Sequence, residues 1–151
     1  MRILTQIPPL LLLCMLATPA LAAYDPTDPR PDLDVIKAQI ESGGASHAIT
    51  PLYDWLVTDP KDADALNLLG YAYRKLKQWK KSRTYYERAL AVDPAHKGAL
   101  EYMGELELQT GNPDAARTLL IRLQSACPDG CEELDDLLEA FQEHDTQTGG
   151  S

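Results

Sequence analysis

Basic residues are scarce in this chain, which has 14 Lys and Arg against 23 Asp and Glu and a formal net charge of −9. Nucleic acids and anionic membrane surfaces bind proteins through clustered Lys and Arg side chains that neutralise phosphate groups. The acidic balance therefore predicts that no nucleic acid is a partner. Seven of the 14 Lys and Arg gather between residues 74 and 88, whereas residues 127–151 contain acids and no Lys or Arg.

Cysteine and histidine are also few, with three of each. Cys14 lies in an N-terminal apolar segment, and Leu13 before it differs from the small residue that lipid attachment requires. The two remaining cysteines, Cys127 and Cys131, are too few for a structural zinc site, which wants four ligands. No two histidines have the i, i+4 spacing of ligands on one helix. We therefore predict no metal site.

Catalytic motifs are missing as well. Ser46-His47 has no matching acid, the paired acids Asp135-Asp136 fall in an acidic run, and there is no glycine-rich phosphate loop. The sequence therefore predicts no catalytic residue, no cofactor and no enzyme activity.

Long hydrophobic runs are absent, since the run from Leu10 to Ala17 is too short to span a bilayer, which takes about 20 apolar residues. It follows Arg2 and precedes Ala20-Leu21-Ala22, a small-x-small cleavage signal. We expect residues 1–22 to be a signal peptide that is cleaved after Ala22. The mature chain is then periplasmic or secreted, with no stable membrane insertion.

A self-repeat is present. Pro60, Pro94 and Pro128 stand 34 residues apart, and Gly70 and Gly104 have the same separation. A fixed period of this length is the signature of an array of supersecondary units. The sequence therefore predicts a repeat protein, a class that presents an extended binding surface to other polypeptides.

Each unit has the pattern of two helices. Leu66, Leu69, Gly70 and Tyr73 follow the spacing i, i+3, i+4, i+7 of one buried helical face. A second helix begins near Trp79 and ends before Asp93-Pro94, because proline cannot continue a helix. The glycines at 70 and 104 lack a Cβ, so we expect a neighbouring helix to approach closely there. In the next unit, Asn112 is expected to cap a helix that has Pro113 at its first position.

These residues resemble the tetratricopeptide repeat (TPR) family, whose signature is W-x₂-L-G-x₂-Y, then A-x₃-F, then a closing P. The middle repeat matches it at Leu69-Gly70, Tyr73, Ala89 and Pro94, with Leu66 at the Trp place, Ser82 replacing Ala and Tyr86 replacing Phe. The following repeat fits at Leu100, Met103-Gly104, Ala116, Leu120 and Pro128, and departs at Glu107, which stands in the Tyr place. In the first repeat Ala48, Leu52 and Pro60 fit, but the opening helix does not, and its second helix either tolerates Pro51 or begins there with Thr50 as cap.

The resemblance implies an all-α fold, a right-handed α-solenoid of about three TPR helix-turn-helix repeats with a C-terminal capping helix. A proline-rich linker is expected over 23–31 and a disordered tail over 144–151. The TPR domain is expected over 32–143, with repeats at about 29–62, 63–96 and 97–130 and a cap helix over 131–143.

Cys127 and Cys131 lie between the last full repeat and the cap helix. In an exported protein, two cysteines this close indicate a disulfide, and here it would fix the angle of the cap. An alternative is a thiol-dependent accessory protein, in which the same pair cycles between oxidised and reduced forms.

In the TPR family the first helix of each repeat lines a concave groove that binds a protein or peptide. The corresponding residues here are Lys37, Asn67, Tyr71, Arg74, Lys75, Glu101, Glu105 and Leu108. This groove would be cationic toward its first half and anionic toward its second, with Tyr71, Ile40 and Leu108 as apolar anchors. Some family members grip a C-terminal carboxylate, which Glu101 and Glu105 would repel. The implied function is a protein- or peptide-binding adaptor or scaffold of the bacterial envelope, and self-association remains an alternative.

Overall fold

The computed structural model describes residues 30–149, which contain helices and turns and no strand. The expected signal peptide over 1–22 and most of the expected linker lie outside the described residues. The helices are α1 Leu33–Gln39, α2 Ala45–Thr58, α3 Ala63–Lys75, α4 Trp79–Val92, α5 Lys97–Gln109, α6 Pro113–Ala126 and α7 Glu132–Gly149, with a π-helical turn Ile40–Gly44 between α1 and α2. This confirms the predicted all-α class.

Consecutive helices pack against one another as a solenoid. α3 and α4 form one hairpin and α5 and α6 the next, while α4 also contacts α5, and α7 lies against both α5 and α6. The core follows the predicted stripes, with Leu66, Leu69, Tyr86, Leu100 and Leu123 almost fully buried. Burial of these apolar faces is what holds the stack together, because each hairpin alone leaves one face uncovered.

The two consensus glycines permit close helix contacts, as predicted. A Cβ added at Gly70 would lie 2.5 Å from Cδ1 of Tyr86, and one added at Gly104 would lie 2.7 Å from Cδ1 of Leu137. The neighbour of Gly70 is therefore on the second helix of its own repeat, whereas the neighbour of Gly104 is on α7. This contact seats the terminal helix directly on α5.

Helix starts are capped by side chains that the repeat places at one position. The Asp62 carboxylate accepts a hydrogen bond from the Ala65 N–H (3.0 Å) at the start of α3. One repeat later, His96 Nδ1 accepts from the Ala99 N–H (3.2 Å) at the start of α5. The same ring places Nε2 3.0 Å from an Asp64 carboxylate oxygen, which ties α5 to α3.

The expected cap at Asn112 is wrong, although Pro113 does occupy the first turn of α6. The Asn112 amide instead donates a hydrogen bond to the Thr110 hydroxyl (3.1 Å), so it is turned away from the helix. In the first repeat, α2 begins at Ala45 and carries Pro51 inside it, which decides between the two starts that the sequence left open.

The terminal helix is longer than predicted. α7 continues to Gly149, whereas the sequence placed its end at 143 and a disordered tail over 144–151. The tail prediction is therefore wrong for 144–149, and residues 150–151 lie outside the described part of the chain. The hydroxyls of Thr146 and Thr148 donate to the carbonyls of Glu143 and His144, so polar residues that looked like a tail support the helix. No helix between residues 30 and 149 has both the length and the apolar character to cross a membrane.

One turn position recurs in three repeats with a left-handed backbone. Gly43, Lys77 and Gly111 stand 34 residues apart and have φ values of 95°, 56° and 78°. Glycine adopts this conformation without steric cost, whereas a residue with a Cβ pays for it. We therefore predict that Lys77→Gly stabilises the protein by about 1 kcal/mol.

Urea unfolding followed by circular dichroism measures this change in the free energy of unfolding. The control is Glu87→Gly at an exposed position in the interior of α4, where glycine is expected to destabilise by about 1 kcal/mol. A loss of stability in both variants would contradict the prediction.

Candidate functional site

A row of polar and aromatic side chains runs along α3 and faces an equivalent row on α5. Asn67, Tyr71 and Arg74 share one face of α3 because they are spaced i, i+4, i+7. Their neighbours on α5 are Gly98, Tyr102 and Glu105, spaced in the same way. We call this shared surface the inner face.

Three contacts define the inner face. A Cβ on Gly98 would lie 3.1 Å from Nδ2 of Asn67, so the Asn67 amide points at the first turn of α5. The rings of Tyr71 and Tyr102 stack with centroids 4.6 Å apart and an angle of 14° between planes. Arg74 and Glu105 form an ion pair at the far end. Along the inner face, α3 and α5 therefore meet first through an amide and a glycine, then through stacked aromatic rings and last through an ion pair.

The register of these contacts differs from the repeat period. The facing residues are 31 apart in sequence, whereas the predicted groove compared positions 34 apart. Each α3 side chain therefore faces the residue on α5 that lies about one turn before its repeat equivalent. As a result Tyr102, which is not among the predicted groove residues, belongs to the inner face.

The predicted groove residues are less accessible than expected. Residues 65–74 of α3 are buried on every side, and Asn67, Tyr71, Arg74 and Glu101 each have less than a tenth of their surface exposed. The three expected apolar anchors of the groove, Tyr71, Ile40 and Leu108, all belong to the core. Lys37 and Lys75 are exposed, and Glu105 is partly buried.

The cations of the inner face already have partners. The Arg74 guanidinium lies 5.3 Å from the Tyr71 ring centroid and 5.4 Å from that of Tyr102, besides its ion pair with Glu105. Lys75 Nζ lies 5.9 Å from the Tyr71 centroid. On α1, Lys37 Nζ lies 4.0 Å from a Glu41 carboxylate oxygen.

Glu101 is the exception among the acids. It is 4% exposed, and the structure gives its carboxylate neither a hydrogen bond nor an ion pair within residues 30–149. Burial raises the pKa of Glu101 to about 8, helped by the negative charges of Glu105, Asp136 and Glu133, while Arg74 opposes the shift. The inner face is therefore not evenly bipolar, since its α5 and α7 side has a buried acid without an ion pair.

Several of these residues could not be found from the groove pattern. Glu133 and Asp136 lie on α7, which the sequence identified only as a solubilising cap, and Asp136 is exposed there. Their influence on Glu101 depends on how α7 packs against α5, and the sequence of α5 does not indicate that packing. The acidic composition after Cys127 was the available signal.

Cys127 and Cys131 lie next to each other between α6 and α7, with Cα atoms 5.8 Å apart, a separation that suits a disulfide. The disulfide itself remains a prediction. Cys127 is 4% exposed, which disfavours attack by an external thiolate and so does not favour the thiol-dependent alternative. Among the residues that the structure describes, these two sulfurs and a Glu133 carboxylate oxygen form the one group of three candidate metal-ligand atoms within 4.8 Å of one another.

The fold defines a helical-hairpin repeat protein in which the first helices of successive repeats, α3 and α5, lie against each other. Residues 63–96, which comprise α3, α4 and the turn before α5, match the tetratricopeptide repeat family. This part of the chain is a tetratricopeptide repeat. None of the curated proteins compared with the chain matches it. The family suggests an adaptor for protein–protein interaction and is typical of non-enzymatic scaffolds.

Proposed function

We propose that this chain is an adaptor of the bacterial envelope that binds an extended protein or peptide segment at its inner face and so supports assembly of a partner complex. The observation that carries the proposal is the set of unsatisfied polar groups on that face. Asn67 Oδ1 is buried without a hydrogen-bond partner within residues 30–149, and the nearly buried Glu101 carboxylate has neither a hydrogen bond nor an ion pair there. Buried polar groups are usually satisfied, so two unmet ones on one surface favour a missing ligand.

Two further features support the proposal. Stacked repeats offer concave surfaces that suit an extended polypeptide, and the repeat family suggests protein partners. The envelope location rests on the signal-like residues 1–22 and on the close cysteine pair, which is typical of oxidising compartments.

Site-specific photo-crosslinking in the native cell tests this function. A photoreactive residue replacing Lys75, exposed at the edge of the inner face, is expected to give a discrete protein adduct. The matched control replaces Arg117, which is exposed on α6 away from that face and should give none. Both positions bear a basic side chain, so the two variants lose the same charge.

Mass spectrometry of the adducts separates the outcomes. A different protein crosslinked at position 75 alone supports the adaptor function. A second copy of this chain at that position would replace it with self-association. Equal adducts from both positions, or none from position 75, would contradict binding at the inner face.

A further inference from the structure

Charge is unequally compensated on the inner face. The Arg74–Glu105 ion pair neutralises both of its members, and Lys37 lies beside Glu41. What remains on the α5 and α7 side is acidic. Glu101 lies beneath the surface, and the partly buried Glu133 and the exposed Asp136 stand on the neighbouring helix α7.

We propose that this acidic side of the inner face holds a Lys or Arg side chain of a basic polypeptide segment, with Glu101 as its counter-ion. The inference rests on the adaptor function proposed above and names the chemistry of the partner. It agrees with the expectation that this face repels a carboxylate, because Arg74, the buried cation of the face, already pairs with Glu105.

An unpaired, ionised Glu101 carboxylate destabilises the protein. An ionised carboxylate that is nearly buried without a partner loses hydration and regains little, so it either takes up a proton or finds a cation. Burial and three neighbouring acids do raise the pKa of Glu101, in keeping with an uncompensated negative potential at this place. A cation arriving there would remove that penalty.

The neighbouring side-chain amide of Asn67 favours the same ligand. Asn67 has 6% of its surface exposed and an Oδ1 without a partner, and its Nδ2 is directed at Gly98, one turn before Glu101 on the same face of α5. An ammonium or guanidinium group has several donors and no acceptor, so it suits a carboxylate and an amide oxygen together. Asp136 and Glu133 at the rim would attract such a group from solution.

A metal ion fits the site less well than a side-chain cation. Calcium requires six to eight oxygen ligands at about 2.3–2.6 Å. Within residues 30–149, Glu101 belongs to no group of three candidate ligand atoms within 4.8 Å of one another. Carboxylates that are spaced this far apart suit the singly charged side chain of a Lys or Arg on an extended segment better than a metal ion.

Peptide titration of the full mature chain tests the inference. The probes are short blocked peptides of identical Gly/Ser sequence in which the variable positions hold lysine, arginine, N-acetyl-lysine or glutamate. We expect lysine and arginine peptides to bind, as measured by calorimetry and by shifts of the Glu101 and Leu137 amide resonances. Removing the counter-ion with Glu101→Gln should weaken binding roughly thirtyfold, the lower end for loss of a buried charge partner.

The control variant is Glu87→Gln, which removes the same charge from an exposed place on α4 and should leave the affinity unchanged. A second variant, Asp136→Asn, should weaken binding by a smaller factor because Asp136 is exposed. Circular dichroism of each variant confirms that it is folded.

Four results would overturn the inference. These are equal binding of lysine and N-acetyl-lysine peptides, full affinity in Glu101→Gln, preference for the glutamate peptide, and saturation by free lysine amide or Ca²⁺ as tight as by the lysine peptide. A partner crosslinked at position 75 together with any of these would leave the adaptor function in place and remove only its basic specificity.

Discussion

Replacing Arg83 with alanine is expected to lower the free energy of unfolding by about 3 kcal/mol, because it leaves the Glu107 carboxylate without its cation. Arg83 on α4 reaches across to α5, where its Nη1 lies 2.7 Å from Oε1 of Glu107. Glu107 is 1% exposed, and its Oε2 has no hydrogen-bond partner within residues 30–149. The Arg83 side chain is 37% exposed, so water reaches its outer part, and we place the cost at the lower end for a broken buried pair.

The repeat supplies matched controls for this measurement. Arg117 occupies the place of Arg83 one repeat later and is exposed on α6, so Arg117→Ala should change stability by less than about 0.5 kcal/mol. The double variant Arg83→Ile, Glu107→Tyr installs the residues found at these places one repeat earlier, Ile49 and Tyr73. It should regain most of the stability, since an apolar pair can replace a buried ion pair.

Urea unfolding of the four proteins separates the explanations. If Arg83→Ala and Arg117→Ala unfold at the same urea concentration, the ion pair contributes nothing and the expectation fails. If the double variant is no more stable than Arg83→Ala, the interface requires the charges themselves.

The same ion pair shows what the sequence could and could not predict about the fold. The 34-residue period predicted the helix pairs and the close approach at Gly70, because consensus positions report contacts inside one repeat unit. Glu107 was recognisable as a departure from the consensus Tyr, but its partner lies on the second helix of the preceding repeat. No local pattern joins two residues so placed, and only the packing of α4 on α5 brings them together.

The candidate site shows a related limit. Helical spacing placed Asn67, Tyr71 and Arg74 on one face, and the structure does gather them there. The spacing of residues within one helix does not indicate how far that helix is shifted along the next. The pairing of Arg74 with Glu105 was therefore not predicted. That pairing decides the charge of the face, because it removes the one buried cation and leaves Glu101 alone.

Glu101→Gln is expected to stabilise the protein at alkaline pH and to change little near pH 5. Burial, together with Glu105 and the α7 acids Asp136 and Glu133, raises the pKa of Glu101 to about 8 from the ordinary 4.5, while Arg74 on α3 opposes the shift. Between these two pH values the folded chain holds a proton at this carboxyl that the unfolded chain has lost. The contribution of Glu101 to stability therefore falls as pH rises through that window.

The full difference corresponds to a loss of about 5 kcal/mol across the window, at 1.36 kcal/mol for each pKa unit. Glutamine has the same shape and does not titrate, so the variant should escape the loss. Urea unfolding of both proteins at a series of pH values gives the difference in stability directly. Taking the difference also cancels the titration of other groups, such as Asp62, whose pKa is lowered by hydrogen bonds and by Arg30 against the effect of burial.

Glu87→Gln serves as the control, since it removes an exposed carboxylate and should show no change in its stability difference from pH 5 to pH 9. If the stability difference between Glu101→Gln and the wild-type protein does not change from pH 5 to pH 9, the Glu101 carboxyl is already solvated or paired in solution. That result would remove the main reason to expect a cationic ligand. The stability difference between Glu101→Gln and the wild-type protein should grow with pH and should shrink when the lysine peptide is added. That result would mean that the cation takes the place of the proton on Glu101. In that case a carboxylate that weakens the free adaptor at neutral pH is the group that strengthens its complex.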